Sequence, residues 1–434
     1  MRRMKSVVLP FALIVLVSLL SAVVPSYGGT KAHVLHNFGG KKDGHWPYGP
    51  VIFGRDGNLY GTTSSGGAFG YGAVFELTPG PRGQRQEKVL HNFQNNGKDG
   101  YWPYAGLISD AAGNLYGTTA SGGRSDQGTV FELTPQDDNT WKETILHDFA
   151  GGADGAKPYA SLILDASGNL YGTAYQGGNS GCRAIGCGIV FQLTPGPHGK
   201  WTETILYTFQ DDGVDGHNPY AGLTFDSLGN LYGTTVYGPI SQYFYDGPGA
   251  VFELTPSGNG QWTETLLFTF CPANDCSGGE NPYSNLTFDS EGNLYGTTQY
   301  EGANYGHGTV FELSPGKNGQ WIEKALYTFC VSGNCQDGSY PVAGVMFDAH
   351  GNLWGTTSGG TTSNAYCGGP GCGIVFKLVR GKDRIWTERI VHSFRGDEGG
   401  IPYAGLVSDS SGNLYGTATS GGAYGDGTVF EIKP

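Results

Sequence analysis

Eight cysteines are the residues whose spacing speaks most directly of chemistry. They stand as four pairs, Cys182/Cys187, Cys271/Cys276, Cys330/Cys335 and Cys367/Cys372, each with the same short interval. In an exported chain such pairs are expected to close as local disulfides. A metal reading would need two pairs to share a site, yet the intervals lack the CxxC form and the pairs fall in different copies of a repeat. No metal is assigned to them. Of the ten histidines, His36, His91, His147 and His392 occupy one position of a recurring strand, where Tyr207, Phe268 and Tyr327 stand in other copies. Copies of an outer strand diverge around a ring, so these imidazoles are expected to pack between repeats and not to meet at one ion.

Two acidic series recur. Asp110, Asp165, Asp226, Asp289, Asp348 and Asp409 each precede a turn glycine by three residues, with Gly54 at that place in the first copy. A carboxylate there can bind the turn backbone, which makes the series turn chemistry. The second series, Asp43, Asp99, Asp154, Asp215, Asp337 and Glu398, with Gly278 at the fifth position, comes just before the first strand of each copy. Most of its members are Asp-Gly pairs, which suit turns. Its functional reading is a ring of channel-mouth carboxylates able to hold a hard, calcium-like cation. The sequence leaves both readings open. It contains no nucleophile elbow, HExxH, P-loop or Asp-box and no single-copy acid and base pair, so no catalytic residue and no cofactor is assigned.

The elements that must position these groups come from a repeat. Gly-Asn-Leu-Tyr/Trp-Gly-Thr-Thr/Ala begins at Gly57, Gly113, Gly168, Gly229, Gly292, Gly351 and Gly412. In the second copy, Pro103 to Ser109 reads as a first strand, a tight turn through Gly113 follows, and Leu115 to Thr119 is the second strand. A glycine-rich loop from Ser121 to Gly128 leads to a third strand, Thr129 to Leu133, and Trp141 to Phe149 alternates as a fourth. Four strands joined by short turns form a meander that is apolar on both faces and too small to stand alone. Radial stacking buries both faces, so the chain is expected to be all-β: a seven-bladed β-propeller of four-stranded antiparallel blades. The last copy stops after its third strand, while Ala32 to Phe38 matches a fourth. The N-terminal strand is therefore expected to complete the last blade and close the ring.

Gly128 to Pro135 (GTVFELTP), Leu206 to Phe209 (LYTF), Asp99 to Pro103 (DGYWP) and Gly113 to Thr119 (GNLYGTT) together resemble the GloVer tandem-repeat proteins of the Gloeobacter and Verrucomicrobia lineages. The resemblance spans about residues 31 to 434. It implies an exported protein and no assigned activity. A weaker similarity, the Gly-Leu after Pro-Tyr followed by Asp-x-x-Gly-Asn-Leu-Tyr, is shared with NHL-type and lactonase-like propellers and implies that the Pro-Tyr run is innermost.

Residues 1–28 read as a signal peptide: Arg2, Arg3 and Lys5, an apolar run from Val7 to Val24, then a small-x-small site ending at Gly28, with retention as a membrane anchor the alternative. The mature domain is then 29–434, secreted or periplasmic and monomeric. Over the full chain, 76 glycines and only 15% charged side chains suit many tight turns between buried strands. A formal charge of −13 argues against nucleic acid and anionic membrane as partners. Function should lie where the copies differ, and the most divergent segment is Val236 to Gly249, which carries Tyr237, Tyr243, Phe244, Tyr245 and Asp246. Alternation of strand direction puts this insertion, the second acidic series, Trp46, Trp102 and the loops containing Phe69, Tyr175, Tyr305 and Tyr424 on one face. The expected function is a binding or scaffold module for a glycan or peptide. The alternative is a cation-dependent lactonase- or lyase-like enzyme at the channel mouth.

Overall fold

The computed structural model describes residues 30–434 except 40, 41, 179, 180, 183, 184, 240–246, 273, 274, 305, 362–366, 369 and 370. Seven four-stranded antiparallel sheets follow one another along the chain, and no α-helix occurs among the described residues. In the second blade the strands are Ile108–Ser109, Leu115–Thr119, Thr129–Pro135 and Trp141–Asp148. The last sheet is completed from the other end of the chain. His33–Asn37 pairs antiparallel with Thr428–Ile432, setting Val34 opposite Phe430 and Asn37 opposite Thr428.

The innermost strand is shorter than its sequence suggests. Only Ile108 and Ser109 form the ladder, while Pro103 to Leu107 run beside the axis without it. Proline has no N–H to give, and the inner segments face a channel where no further strand can pair.

Packing between blades holds the ring. The third-strand phenylalanine of each blade meets a fourth-strand phenylalanine of the preceding one. Phe38–Phe75, Phe93–Phe131 and Phe149–Phe191 lie 5.1, 5.2 and 5.3 Å apart in edge-to-face contact, and the set continues through Phe394–Phe430. All six of the first-named rings are fully buried. The glycine in Leu-Tyr-Gly-Thr makes room for them: Gly117 faces Phe131 across the ladder, and a Cβ on Gly117 would come within 2.6 Å of that ring. The threonine after it binds the blades together. Thr62 Oγ1 donates to the Ala105 carbonyl at 2.7 Å and Thr118 Oγ1 to Ala160 at 3.0 Å, each reaching the next blade's inner segment.

The first acidic series closes turns. Asp165 accepts from the amides of Ser167 and Asn169, from Asn169 Nδ2 and from the Tyr171 hydroxyl. In the first blade, where Gly54 stands at the series position, Asp56 takes over these contacts with Asn58 and Tyr60.

Candidate functional site

The inner segments enclose a channel whose cavity measures about 590 Å³. Its mouth is ringed by tyrosine, because the Pro-Tyr pair that opens each inner segment recurs as Tyr48, Tyr104, Tyr159, Tyr220, Tyr283 and Tyr403, with Val342 at the sixth place. Their rings touch in sequence. Tyr403–Tyr48, Tyr48–Tyr104 and Tyr104–Tyr159 have centroids 5.2, 5.3 and 5.7 Å apart, Tyr159 stacks on Tyr220 at 5.0 Å, and Tyr220 meets Tyr283 at 5.1 Å. Glycine, alanine and serine behind the tyrosines, as in Gly49, Ala105 and Ser161, keep the lumen open.

Every described lining residue is uncharged. Asn285 and Gln299 add amides, and Tyr300 adds a seventh phenol, 41% exposed. Burial pushes the phenol pKa of Tyr48, Tyr104, Tyr159, Tyr220, Tyr283 and Tyr403 above its ordinary value, and neighbouring phenols raise most of them further. The ring therefore stays neutral and can both donate and accept hydrogen bonds. Aromatic faces beside hydroxyls and amides suit an uncharged ligand with many hydroxyl groups.

The loops expected on one face do meet there. Crossovers between blades bridge to the loops between second and third strands through His45–Ser65, Ala156–Gln176, His217–Tyr237 and Gly400–Ser420. These approaches explain the glycine-rich loops: Gly177 has φ of 82°, and a Cβ there would lie 2.6 Å from the Gly155 Cα. Tyr237, at the foot of the insertion, stands close enough to Tyr175 to raise its phenol pKa, and Tyr175 packs on Tyr159 and Tyr220 of the mouth. Tyr243, Phe244, Tyr245 and Asp246 lie outside the described residues, as does Tyr305. Trp46 and Trp102 are 46% and 41% exposed and stand on the crossovers, Trp46 stacked on His45, without lining the channel. Phe69 and Tyr424 are exposed and also remain outside it.

The second acidic series is not at the channel mouth. Asp99 lies beside His91 of the outer strand at 3.2 Å, Asp154 beside His147 at 3.4 Å, Asp43 beside His36 at 3.7 Å and Glu398 beside His392 at 3.2 Å. Asp215 and Asp337 accept from the hydroxyls of Tyr207 and Tyr327. The correction follows from chain geometry: these residues come directly after the outer strand and turn back onto it before the chain reaches the axis. No carboxylate ring for a cation forms in the channel among the described residues. The cysteines close as Cys182–Cys187, Cys271–Cys276, Cys330–Cys335 and Cys367–Cys372, so their sulfurs are not free ligands for nearby His307 or Glu280.

Seven sheets built on one motif match the sequence profile of the Gloeobacter/Verrucomicrobia repeat over residues 23–243, 181–368 and 236–434. The chain belongs to that repeat family. No curated protein sequence matches this Gloeobacter/Verrucomicrobia repeat protein. Among solved structures it is similar to the periplasmic gluconolactonase of Pseudomonas aeruginosa, at 14% identity over 81% of this chain and 85% of the other, with a TM-score of 0.46. It is also similar to a carbohydrate-active enzyme of Trichoderma reesei in a calcium structure, at 13% identity over 94% and 96% of the two chains, with a TM-score of 0.41. Neither likeness carries a substrate to the repeat protein.

The tyrosine ring was within reach of the sequence. Pro-Tyr recurs six times and marks the innermost strand, but a residue repeated in nearly every copy reads as structural until its exposure to the channel is seen.

Proposed function

We propose that this is an exported binding propeller whose tyrosine-ringed channel mouth takes an uncharged glycan. The observation that carries the reading is the neutral, aromatic and hydroxyl-bearing wall formed by Tyr48, Tyr104, Tyr159, Tyr220, Tyr283 and Tyr403. Stacked Tyr159 and Tyr220 offer faces for a sugar ring, while Ser161, Asn285 and Gln299 offer polar contacts below. A peptide is less well served, since no described lining residue can pair with its charged groups.

The enzymatic alternative needs an acid, a base or cation ligands where substrate sits. No described carboxylate or imidazole lines the cavity. Export is supported by the signal-like residues 1–28 and four local disulfides, which suit an oxidising compartment.

A glycan and peptide array probed with the mature protein and with the Tyr159→Ala/Tyr220→Ala variant tests the proposal. Retention on uncharged glycans that is lost in the variant is expected. Retention on peptides alone, or glycan binding equal in both proteins, would contradict it.

A further inference from the structure

We propose that three of the seven blade interfaces are zinc-class metal sites, each built from one histidine and two carboxylates: His36/Asp43/Glu87, His91/Asp99/Glu143 and His147/Asp154/Glu203. In each, the histidine and the aspartate belong to one blade or its exit, and the glutamate comes from the next blade's outer strand. The first joins the last blade to the first.

The potential ligand atoms of each group lie within 4.8 Å of one another. His91 Nε2 is 3.2 Å from Asp99 and 3.4 Å from Glu143, while His147 Nε2 is 3.4 Å from Asp154 and 3.5 Å from Glu203. Ligands bound to zinc at its usual distances in a tetrahedron stand about 3.4 Å apart. The histidine-to-carboxylate spacing of the second and third groups is therefore that of a coordination edge, while the first is looser, with His36 Nε2 3.7 Å from Asp43.

The polar atoms in these groups are also poorly satisfied without an ion. Asp99 has a side chain only 7% exposed, yet its Oδ1 lacks a hydrogen-bond partner. Glu87 Oε1, Glu143 Oε1 and Glu203 Oε1 are likewise buried without one, as are Glu264, Glu323 and Glu388 at the interfaces that lack the histidine; at the first and third groups the histidine nitrogens His36 Nε2 and His147 Nε2 are buried without one beside them. An imidazole Nε2 can direct one proton at one acceptor, and two carboxylates cannot bond each other unless one is protonated. Native proteins seldom leave such groups buried unpaired. A dication satisfies all three ligands at once. The imidazole disfavours calcium and magnesium, while one nitrogen and two oxygens leave a fourth position for water on zinc.

The other interfaces lack the full ligand set. Tyr207 replaces the histidine beside Asp215 and Glu264, as Tyr327 does beside Asp337 and Glu388, and Phe268 stands there in the copy between them. At the seventh interface His392 and Glu398 are present, but Ala32 occupies the glutamate place.

Zinc titration of the chelator-stripped mature protein, followed by elemental analysis after desalting, tests the proposal. Three zinc ions per chain are expected, two in His91→Gln and four in Tyr207→His, with melting temperature rising on zinc addition because the ion binds only the folded ring. Should His91→Gln not fold, the gain in Tyr207→His decides alone. A shared proton in place of a metal predicts no retained zinc. Absence of zinc from the wild type, or a content that neither variant changes, would overturn the proposal.

Discussion

The Thr417 hydroxyl donates to the Gly49 carbonyl at 3.0 Å, joining residues from opposite ends of the chain. It is the closing member of the series that includes Thr62–Ala105 and Thr118–Ala160, and it joins the same two blades, last and first, as the Phe38–Phe75 contact. Closure thus has three parts: a strand ladder, an aromatic contact and a buried hydrogen bond.

A mature chain shortened to begin at Asp43 loses His33–Asn37 and Phe38, leaving Thr428–Ile432 as an open apolar edge. It is expected to melt well below the full mature chain and to aggregate during light-scattering measurements. Thr417→Val tests the smaller part, with an expected loss of about 1–3 kcal/mol from a carbonyl left unpaired. Equal melting temperatures for the full and shortened chains would contradict the role given to the first strand.

Reduction of the four disulfides is expected to leave the ring folded. Each bridge spans five positions and pins a loop, whereas the Phe–Phe contacts and threonine bonds join the blades. Peptide mapping should link each cysteine only to its near partner, and far-UV circular dichroism should be unchanged on reduction. Collapse of the β signal would show that the bridges hold the fold.

Glu388 gives a pH prediction. Burial, and then the nearby Asp337 charge, raise its carboxyl to about 8. Between the ordinary glutamate range and that value the folded chain holds a proton that the unfolded chain has released, so this contribution to stability falls as pH rises. Glu264, raised to about 7 at its own interface, acts in the same direction. With chelator present, the wild type should lose more melting temperature between pH 6 and pH 9 than Glu388→Gln. Identical pH slopes would mean that Glu388 is ionised in the fold.

The blade order, the ring closure, the turn role of Asp165 and the local disulfides could all be read in the sequence, because each rests on spacing within one repeat. The same reading failed where radius mattered. Asp99 was expected at the channel mouth, but its distance from the axis depends on how the crossover folds back onto His91. Glu143 carries no signal within its own repeat, since its partners Asp99 and His91 belong to the preceding blade. Tyr104 reads in the sequence only as part of an inner strand, and the cavity it shares with Tyr159 emerges when the blades converge on the axis.

The most direct measurement of the central claim places a label on the mouth itself. Mature protein carrying fluorotyrosine, with signals assigned by single Tyr→Phe changes, would be titrated with uncharged oligosaccharides, including cellobiose, maltotriose and chitobiose, and followed by fluorine NMR. Signals from Tyr159 and Tyr220 are expected to shift saturably with at least one of these sugars, while that of exposed Tyr424 remains in place. Unmoved signals from the mouth across the whole panel, or shifts confined to tyrosines away from it, would contradict the account.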